Sequence, residues 1–514
     1  MSEAGATAYE DAQWRRLDKR MLAIHPVQEA VRFLPALLAV FITGRSSQRD
    51  AWWDWAALAL VVAFGVSQWF TTRYRIWNGQ IELRKGLLRR TVLATPADRV
   101  RTVDVSAPIW HRLLGVARVE VGTAGGAGSE RIVLDALAAP EAEQLRGELL
   151  HRRGWPPATT GPCEAPDPAR PEPGSPPEPT PQAEQLLLRL DPSWVRFAPL
   201  TTSGMVSALA IWGFGMQYLG GQWDRVESAL AAVEALGATL AVVLGLLTAL
   251  VVVSILAVTA YVLSFWDFRL SRHAGGTLHT RRGLLTTRAT SIEEARLRGV
   301  ELGEPLGLRL AGAARLHAVT TGLRHREVAE GSAWLSPPAP AVVVERTAQA
   351  VVGDEQAVAG PLLAHGRGAR RRRFTRAVGS CAVLAGIALL GWWRLGLAVP
   401  LVVAGCVPLL LAPWLAADRY AALGHLLTAR HLVVRAGSLS RRRDVLAREG
   451  VIGVVVRESF FQRRAGVATL TATTAAGKQG YAALDLPREQ AIELSLALLP
   501  ATVGQFVEGR AEGR

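Results

Sequence analysis

Three times in this chain a glycine beside a basic cluster is followed, 29 residues later, by a second glycine: Gly86 and Gly115, Gly283 and Gly312, Gly437 and Gly466. The first of each pair sits in "RKGLLRR", "RRGLLTTR" or "RAGSLSRRR", the second in "HRLLGVARVEVGTAGG", "LRLAGAARLHAVTTGL" or "QRRAGVATLTATTAAG". An arginine stands three residues before each second glycine (Arg112, Arg309, Arg463) and a threonine eight after it (Thr123, Thr320, Thr474). A fixed internal spacing marks a supersecondary unit copied within the chain, so the fold must accommodate three like modules.

Each module reads as a series of short strands. In the first, "YRIWNGQIELRKG" holds an Asn-Gly hairpin signal between alternating segments, and "GLLRRTVLATP", "VRTVDVS", "ARVEVGT" and "RIVLDAL" supply further strands. A helix then closes the unit. "PEAEQLRGELLHRR" from Pro140 and "PREQAIELSLALLP" from Pro487 begin with Pro and acidic residues and carry leucines at helical spacing, and "AVVVERTAQAV" is the corresponding middle segment. The patch Trp110, His111 and Arg112 has two readings, an interfacial aromatic–basic anchor or half-buried packing under the hairpin, and the alignment of Gly307 and Phe461 with Trp110 favours packing.

Apolar runs separate the modules and fall in pairs. Residues 197–220, 239–265, 377–393 and 395–417 contain no Asp, Glu, Lys or Arg, and each is about long enough to cross ~30 Å of hydrocarbon as a helix. Residues 52–70, with Asp54, and 30–44, with Pro35 and Arg32, form the first pair. Arg15, Arg16, Lys19, Arg20, Arg73, Arg75, Arg269, Arg272, Arg370 to Arg373 and Arg376 flank the pairs on one side, which places both termini and the modules in the cytoplasm. Spans free of charge read as anchors, and Gly204, Ala208 and Gly213 as helix-packing positions. With 514 residues, half of them hydrophobic, and a net charge of +14, a single soluble domain does not fit. No leader peptide is expected, and Cys163, Cys381 and Cys406 form no paired spacing.

The blocks "PADRVRTVDVSAPIWHRLLGVARVEVGTAGG" from Pro96, "TSIEEARLRGVELGEPLGLRLAGAARLHAVTTG" from Thr290 and "LAREGVIGVVVRESFFQRRAGVATLTATTAAG" from Leu446, alternating with paired spans, resemble the bacterial membrane proteins with pleckstrin-homology-like domains, of the YdbT-like type. The resemblance implies an integral membrane α plus β fold. Three transmembrane helical hairpins (30–72, 186–266, 377–417) would alternate with three cytoplasmic pleckstrin-homology-like barrels or sandwiches (73–154, 267–357, 418–500), each of about seven strands ending in a helix. A Pro-rich linker (155–185), a flexible basic linker (358–376), an N-terminal segment (1–29) and a tail (501–514) complete the plan. The middle copy departs from the pattern at Gly307 and at Glu293, where the first has Pro96.

The histidines, His111 and His431 among them, form no pair at metal-ligand spacing, so neither metal nor cofactor is expected. "GTAGGAGS" and "AAGKQG" lack the context of a phosphate loop and read as hairpin turns. Glu293 and Glu294 are adjacent and would face opposite sides of a strand, and no nucleophile motif accompanies them, so an enzyme is not expected. The basic turns remain: Arg84, Lys85, Arg89 and Arg90; Arg281, Arg282 and Arg288; Arg435, Arg441, Arg442 and Arg443. Facing an anionic leaflet, each charge would add about 1 kcal/mol of attraction; as ordinary solvated surface, each would serve topology alone. Expected partners are the membrane with its anionic phospholipid, another membrane protein, or further copies of the chain through open sheet edges, and not nucleic acid, since no groove-reading motif is present. The functional expectation is a non-enzymatic scaffold or adaptor in the cell membrane, serving envelope maintenance or stress response. The alternative is a transporter or lipid-handling protein gated by the modules.

Overall fold

The structure, a computed structural model, describes residues 14–20, 71–77, 80–85, 91–96, 100–123, 132–151, 184–201, 238–273, 276–321, 333–396 and 398–500. Nearly all of the expected first hairpin, the Pro-rich linker, residues 202–220 and the tail lie outside these residues, as do Gly86, Arg89, Arg90, Gly204, Ala208 and Gly213. The chain folds as two compact units, Met1–Leu186 with Asp267–Arg296, and Leu187–Trp266 with Leu297–Arg514.

The first module is built from two meanders. After the two-residue β1 (Arg15–Arg16) come β2 (Arg73–Trp77), β3 (Gln80–Lys85) and β4 (Thr91–Pro96), joined antiparallel in that order. Trp77 pairs with Gln80, leaving two residues for the connection, as the Asn-Gly signal requires. Then follow β5 (Val100–Ala107), the one-turn helix α1 (Ile109–Leu113), β6 (Val116–Thr123), β7 (Ile132–Ala138) and the closing helix α2 (Ala139–His151). Alternate residues of β7, Ile132, Leu134 and Ala136, are fully buried. They share a core with Tyr74, Ile81 and Leu83 of the first meander and Leu145 of α2. The module is therefore two facing meanders under a helix; among the described residues it has six strands besides β1 and no closed barrel.

After β8 (Gln185–Arg189), a 3-10 stretch (Pro192–Leu200) and the helix α3 (Ala238–Phe265), the middle module supplies β9 (Arg269–His273), β10 (Thr277–Arg282) and β11 (Thr287–Glu293) to the first unit. Its second half belongs to the other unit: β12 (Leu297–Pro305), α4 (Leu306–Leu310), β13 (Ala313–Thr320), β14 (Trp334–Pro340) and the helix α5 (Ala341–Val352). A short α6 (Glu355–Ala359) leads to the long helices α7 (Gly366–Leu395) and α8 (Val399–Ala421). The third module is β15 (Gly424–Leu427), β16 (His431–Ala436), β17 (Ser440–Ala447), β18 (Gly453–Arg457), α9 (Phe460–Ala465), β19 (Val467–Thr473), β20 (Gly480–Pro487) and α10 (Arg488–Leu498). Leu432 and Val434 of β16, Leu470 of β19 and Leu494 of α10 share its core, repeating the plan of the first module.

The middle module is divided because sheets run from one module into the next. β11 pairs with β5, from Thr287 opposite Ala107 to Ile292 opposite Thr102. β17 pairs with β12, from Arg441 opposite Glu304 to Leu446 opposite Gly299. Counted from each module's own glycines the two ladders have one register: residues 4 to 9 after the turn glycine oppose residues 13 to 8 before the second glycine of the preceding module, in antiparallel order. A three-stranded meander leaves an open edge, and here the next module covers it.

The repeated glycines have structural causes. Gly115, Gly312 and Gly466 end α1, α4 and α9 at φ 69°, 66° and 67°, the left-handed geometry that favours glycine after a helix. Gly283 and Gly437 stand at φ 104° and 118°, where a Cβ would fall 2.0 and 2.1 Å from the carbonyl oxygens of Thr286 and Ser440.

Among the described residues three helices are long and apolar enough to cross a membrane: Val243–Phe265 within α3, α7 and α8. At ~1.5 Å per residue, α3, α7 and α8 measure about 42, 45 and 35 Å. α7 begins at Gly366, so the basic stretch expected to be a flexible linker is instead its first turns. Small residues let α7 and α8 approach: a Cβ on Gly405 would lie 2.5 Å from that of Ala388, and Ala377, Ala412 and Ala416 are buried together.

Candidate functional site

The basic turns behave differently in the three modules. In the first, Arg84 and Lys85 are exposed at the end of β3. The guanidinium of Arg84 lies 4.3 Å from the Trp14 ring, which Arg75 also covers at 4.5 Å. Arg75 is itself buried in a 2.6 Å ion pair with Glu82. In the second, Arg281 is exposed. Arg282 is half-buried across the hairpin from Arg288; burial first, then Arg288, pulls its pKa down to about 10 against the opposing pull of Asp104.

In the third module most of the cluster is engaged within the chain. Arg435 donates to the carbonyl oxygens of Ala421 and Ala422 at 3.0 and 3.2 Å, satisfying the open end of α8. Arg441 donates to Asp418 of α8 at 2.7 Å, where Arg309 (3.1 Å) and the Ser438 hydroxyl (2.9 Å) also converge. Arg443 donates to the carbonyls of Ala357 and Gly360 at 3.0 and 2.9 Å. Arg442 is exposed. Of the candidate contact residues, Arg84, Lys85, Arg281 and Arg442 therefore present charge to the surroundings, while Arg435 and Arg441 hold the end of α8 and Arg443 holds the end of the short helix α6 that precedes α7.

The other end of the hairpin is held as firmly. Asp485, fully buried at the end of β20, forms ion pairs with Arg372 and Arg373 (2.7 Å) of α7 and accepts from the Gln462 amide at 2.9 Å. Asp418 and Asp485, the two acids on which this docking rests, escaped the sequence reading. Their signal was only an acid after an apolar run in "LAADRY" and another in "YAALDLP".

The repeated arginine has a role between modules. Arg112 donates to the carbonyl of Leu284, the residue after the Gly283 turn, and Arg309 reaches Ser438 O, the residue after the Gly437 turn, at 3.3 Å. Arg463 is exposed. Thr320 and Thr474 are buried, whereas the Thr123 side chain lies outside the described residues.

The aromatic–basic patch is turned inside out relative to expectation. His111, not Trp110, packs inward, within 3.1 Å of Asp135. Trp110 is 53% exposed, and Phe460 and Phe461 of α9 are 65% and 72% exposed. Gly307 fits the middle copy because a Cβ there would meet the Leu200 carbonyl at 2.5 Å: the 3-10 stretch covers the spot that aromatics occupy elsewhere. α9 sits beside the first turn of α7, where a Cβ on Gly368 would be 2.8 Å from Ala465 O.

His431 lies 2.8 Å from Asp354, and His365 stands between His425 (3.2 Å) and the Leu484 carbonyl (2.7 Å). Among the described residues no three His, Cys, Asp or Glu side chains are grouped to hold a metal ion.

Residues 29–153 and 376–500 each match the bacterial PH domain family. The two segments fall on the first and third modules, each with the apolar pair before it. A weaker similarity, 25% identity over 93 residues, links the chain to the UPF0699 transmembrane protein YdbT of Bacillus subtilis (strain 168) and covers 18% of this chain and 19% of that protein. The match thus spans about a fifth of that relative's length. No solved structure matches the chain significantly. Two segments of the chain are thus similar to the bacterial PH domain, and a shorter stretch is similar to a transmembrane protein.

Proposed function

We propose that this chain is a non-enzymatic, multi-pass membrane scaffold. It holds three pleckstrin-homology-like modules at the cytoplasmic face, each following a helical hairpin, for contact with other proteins, further copies of itself or anionic lipid, in the service of envelope maintenance or stress response. The observation that carries the reading is the docking of α7 and α8 onto the third module through Asp485 and Asp418. A module fixed at both ends of a hairpin is held against the membrane surface rather than swinging on a tether.

The flanks support the cytoplasmic assignment. Arg370 to Arg373 and Arg376 crowd the start of α7, while Arg435 and Arg441 gather at the end of α8, so both ends of this hairpin are basic. Exposed Phe460 and Phe461, beside the first turn of α7, are side chains of the kind that favour a water–lipid boundary. Arg84, Lys85, Arg281 and Arg442 are left to meet headgroups or a partner, each contributing about 1 kcal/mol near an anionic surface. No observation favours the conduit alternative.

The test is a pull-down from native membranes in mild detergent, comparing the wild type with Arg84→Glu/Lys85→Glu, with co-purifying proteins and lipids identified by mass spectrometry. Loss of a partner or of anionic lipid in the variant supports the scaffold reading; an unchanged set removes the first basic turn from it.

A further inference from the structure

We infer that β18 of one copy pairs with β4 of a second copy, so that chains join head to tail by the same ladder that joins modules within the chain. The inference deepens the scaffold reading by naming a second copy as partner, and it stands on separate observations.

Two internal junctions share one register and one cross-contact: β5 with β11 and Arg112 with Leu284; β12 with β17 and Arg309 with Ser438. The repeat supplies the two halves of a third junction, one in the first module and one in the third. β18 is the counterpart of β5 and β12, and β4 of β11 and β17. Among the described residues β18 pairs with β19 alone and β4 with β3 alone, and the two do not pair with each other.

The exposed side chains tell the same story. Ten residues before the second glycine, Val105 and Leu302 are 7% and 3% exposed in the filled junctions, whereas their counterpart Val456 is 40% exposed. Across the ladder, Ala289 and Arg443 are half-buried and their counterpart Val92 is 53% exposed. Val454, Val455 and Val456 form an uninterrupted β-branched edge without lysine or proline, preceded by Ile452 at 70% exposure. Monomeric proteins protect such an edge; here nothing among the described residues does so.

The shared register then specifies the contact: Thr91 opposite Arg457, Val92 opposite Val456, Leu93 opposite Val455, Ala94 opposite Val454 and Thr95 opposite Gly453. The contact is heterologous, so each joined copy still offers one free edge at either end of the row. Five pairs make a small interface, below the roughly 1,200 Å² of a stable complex. Confinement of both partners to one membrane raises their effective concentration, and the ladder is accordingly to be sought in membranes rather than in dilute detergent.

The experiment places Val92→Cys on one tagged full-length copy and Val456→Cys on a second with a different tag, both with Cys163, Cys381 and Cys406 changed to Ser. Native membranes are treated with oxidant or a short bis-thiol linker. The expected product is a dimer carrying both tags, absent when Val342→Cys, 58% exposed on α5 of the middle module, replaces Val456→Cys. No mixed dimer, or a cross-link formed only when both cysteines lie on the same chain, overturns the inference. The second variant, Val456→Lys, is expected to reduce co-precipitation of differently tagged copies by about tenfold, a loss of ~1.4 kcal/mol, with an unchanged melting profile. If cross-linking fails while Arg84→Glu/Lys85→Glu still sheds a partner or lipid, the head-to-tail contact falls and the scaffold stands; if cross-linking succeeds while the pull-down is unaffected, the head-to-tail contact stands and the first basic turn has no part in the scaffold.

Discussion

Replacing Asp485 by Asn should loosen α7 and α8 from the third module. The Asp485 side chain is fully buried, and its partners Arg372 and Arg373 are only 14% and 15% exposed. Asn keeps the shape, tolerates the φ of 58° found there, and still accepts from Gln462, so the change removes little but the charge. Removing one member of a buried ion pair costs about 3–5 kcal/mol, because the remaining charge is left uncompensated. Both arginines retain a path to solvent, which places this case at the lower end, about 3 kcal/mol, or roughly 5–10 °C in midpoint. Thermal unfolding of the full chain in mild detergent, followed by tryptophan fluorescence, reads the effect. Asp485→Asn combined with Arg372→Met and Arg373→Met should recover most of the loss, since apolar replacement of the two arginines leaves no uncompensated charge while Asn keeps the φ of 58°. A midpoint for Asp485→Asn within about 1 °C of wild type, or a triple variant no better than the single, would refute the docking argument.

Asp444 titrates high, at about 7, through burial first and then Glu301, which faces it across the ladder; Lys478 and Arg442 oppose the shift. The native state therefore holds a proton that the unfolded state, near 3.8, releases, so stability falls as pH rises between those values and is level above them. Asp444→Asn should abolish that slope, with denaturant midpoints at pH 5 and pH 8 showing the larger gain over wild type at pH 8. Gly437→Ala, which combines φ 118° with a Cβ 2.1 Å from Ser440 O, should cost about 2–3 kcal/mol, whereas Gly312→Ala, in open space at φ 66°, should cost ~1 kcal/mol, both read by denaturation. Asp418→Ala frees Arg441 and Arg309 from their shared acceptor and should speed tryptic cleavage after Arg441 by severalfold, with unchanged cleavage counting against its role.

The repeated strands, the closing helices and three of the apolar spans were legible because they rest on local patterns. Alternation in "RIVLDAL", leucine spacing in "IELSLALL" and the uncharged run 239–265 each specify an element without reference to the rest of the chain. The continuous sheets were not legible. Nothing in Thr287 to Ile292 announces that its partner is a strand some 180 residues earlier, because backbone ladders carry no side-chain signature. The basic turns looked alike, yet Arg435 and Arg441 are spent on Asp418 and helix carbonyls while Arg84 and Arg442 are exposed. Which role a given arginine takes depends on where one acid lies in the folded chain, and Asp418, near the end of α8, has no acidic counterpart 19 residues before Gly86 or Gly283.

The pairing of β5 with β11 changes what a boundary means in this chain. Whatever path residues 155–185 follow, the strands before and after them are stitched into one sheet. A protease that severs that stretch should yield two fragments that remain associated until the ladder melts. Expressing any single repeat by itself should instead leave a raw strand edge at the cut, at Val100–Ala107 or at Ser440–Ala447. Pieces that fold alone are to be found by cutting through the middle repeat, not between repeats.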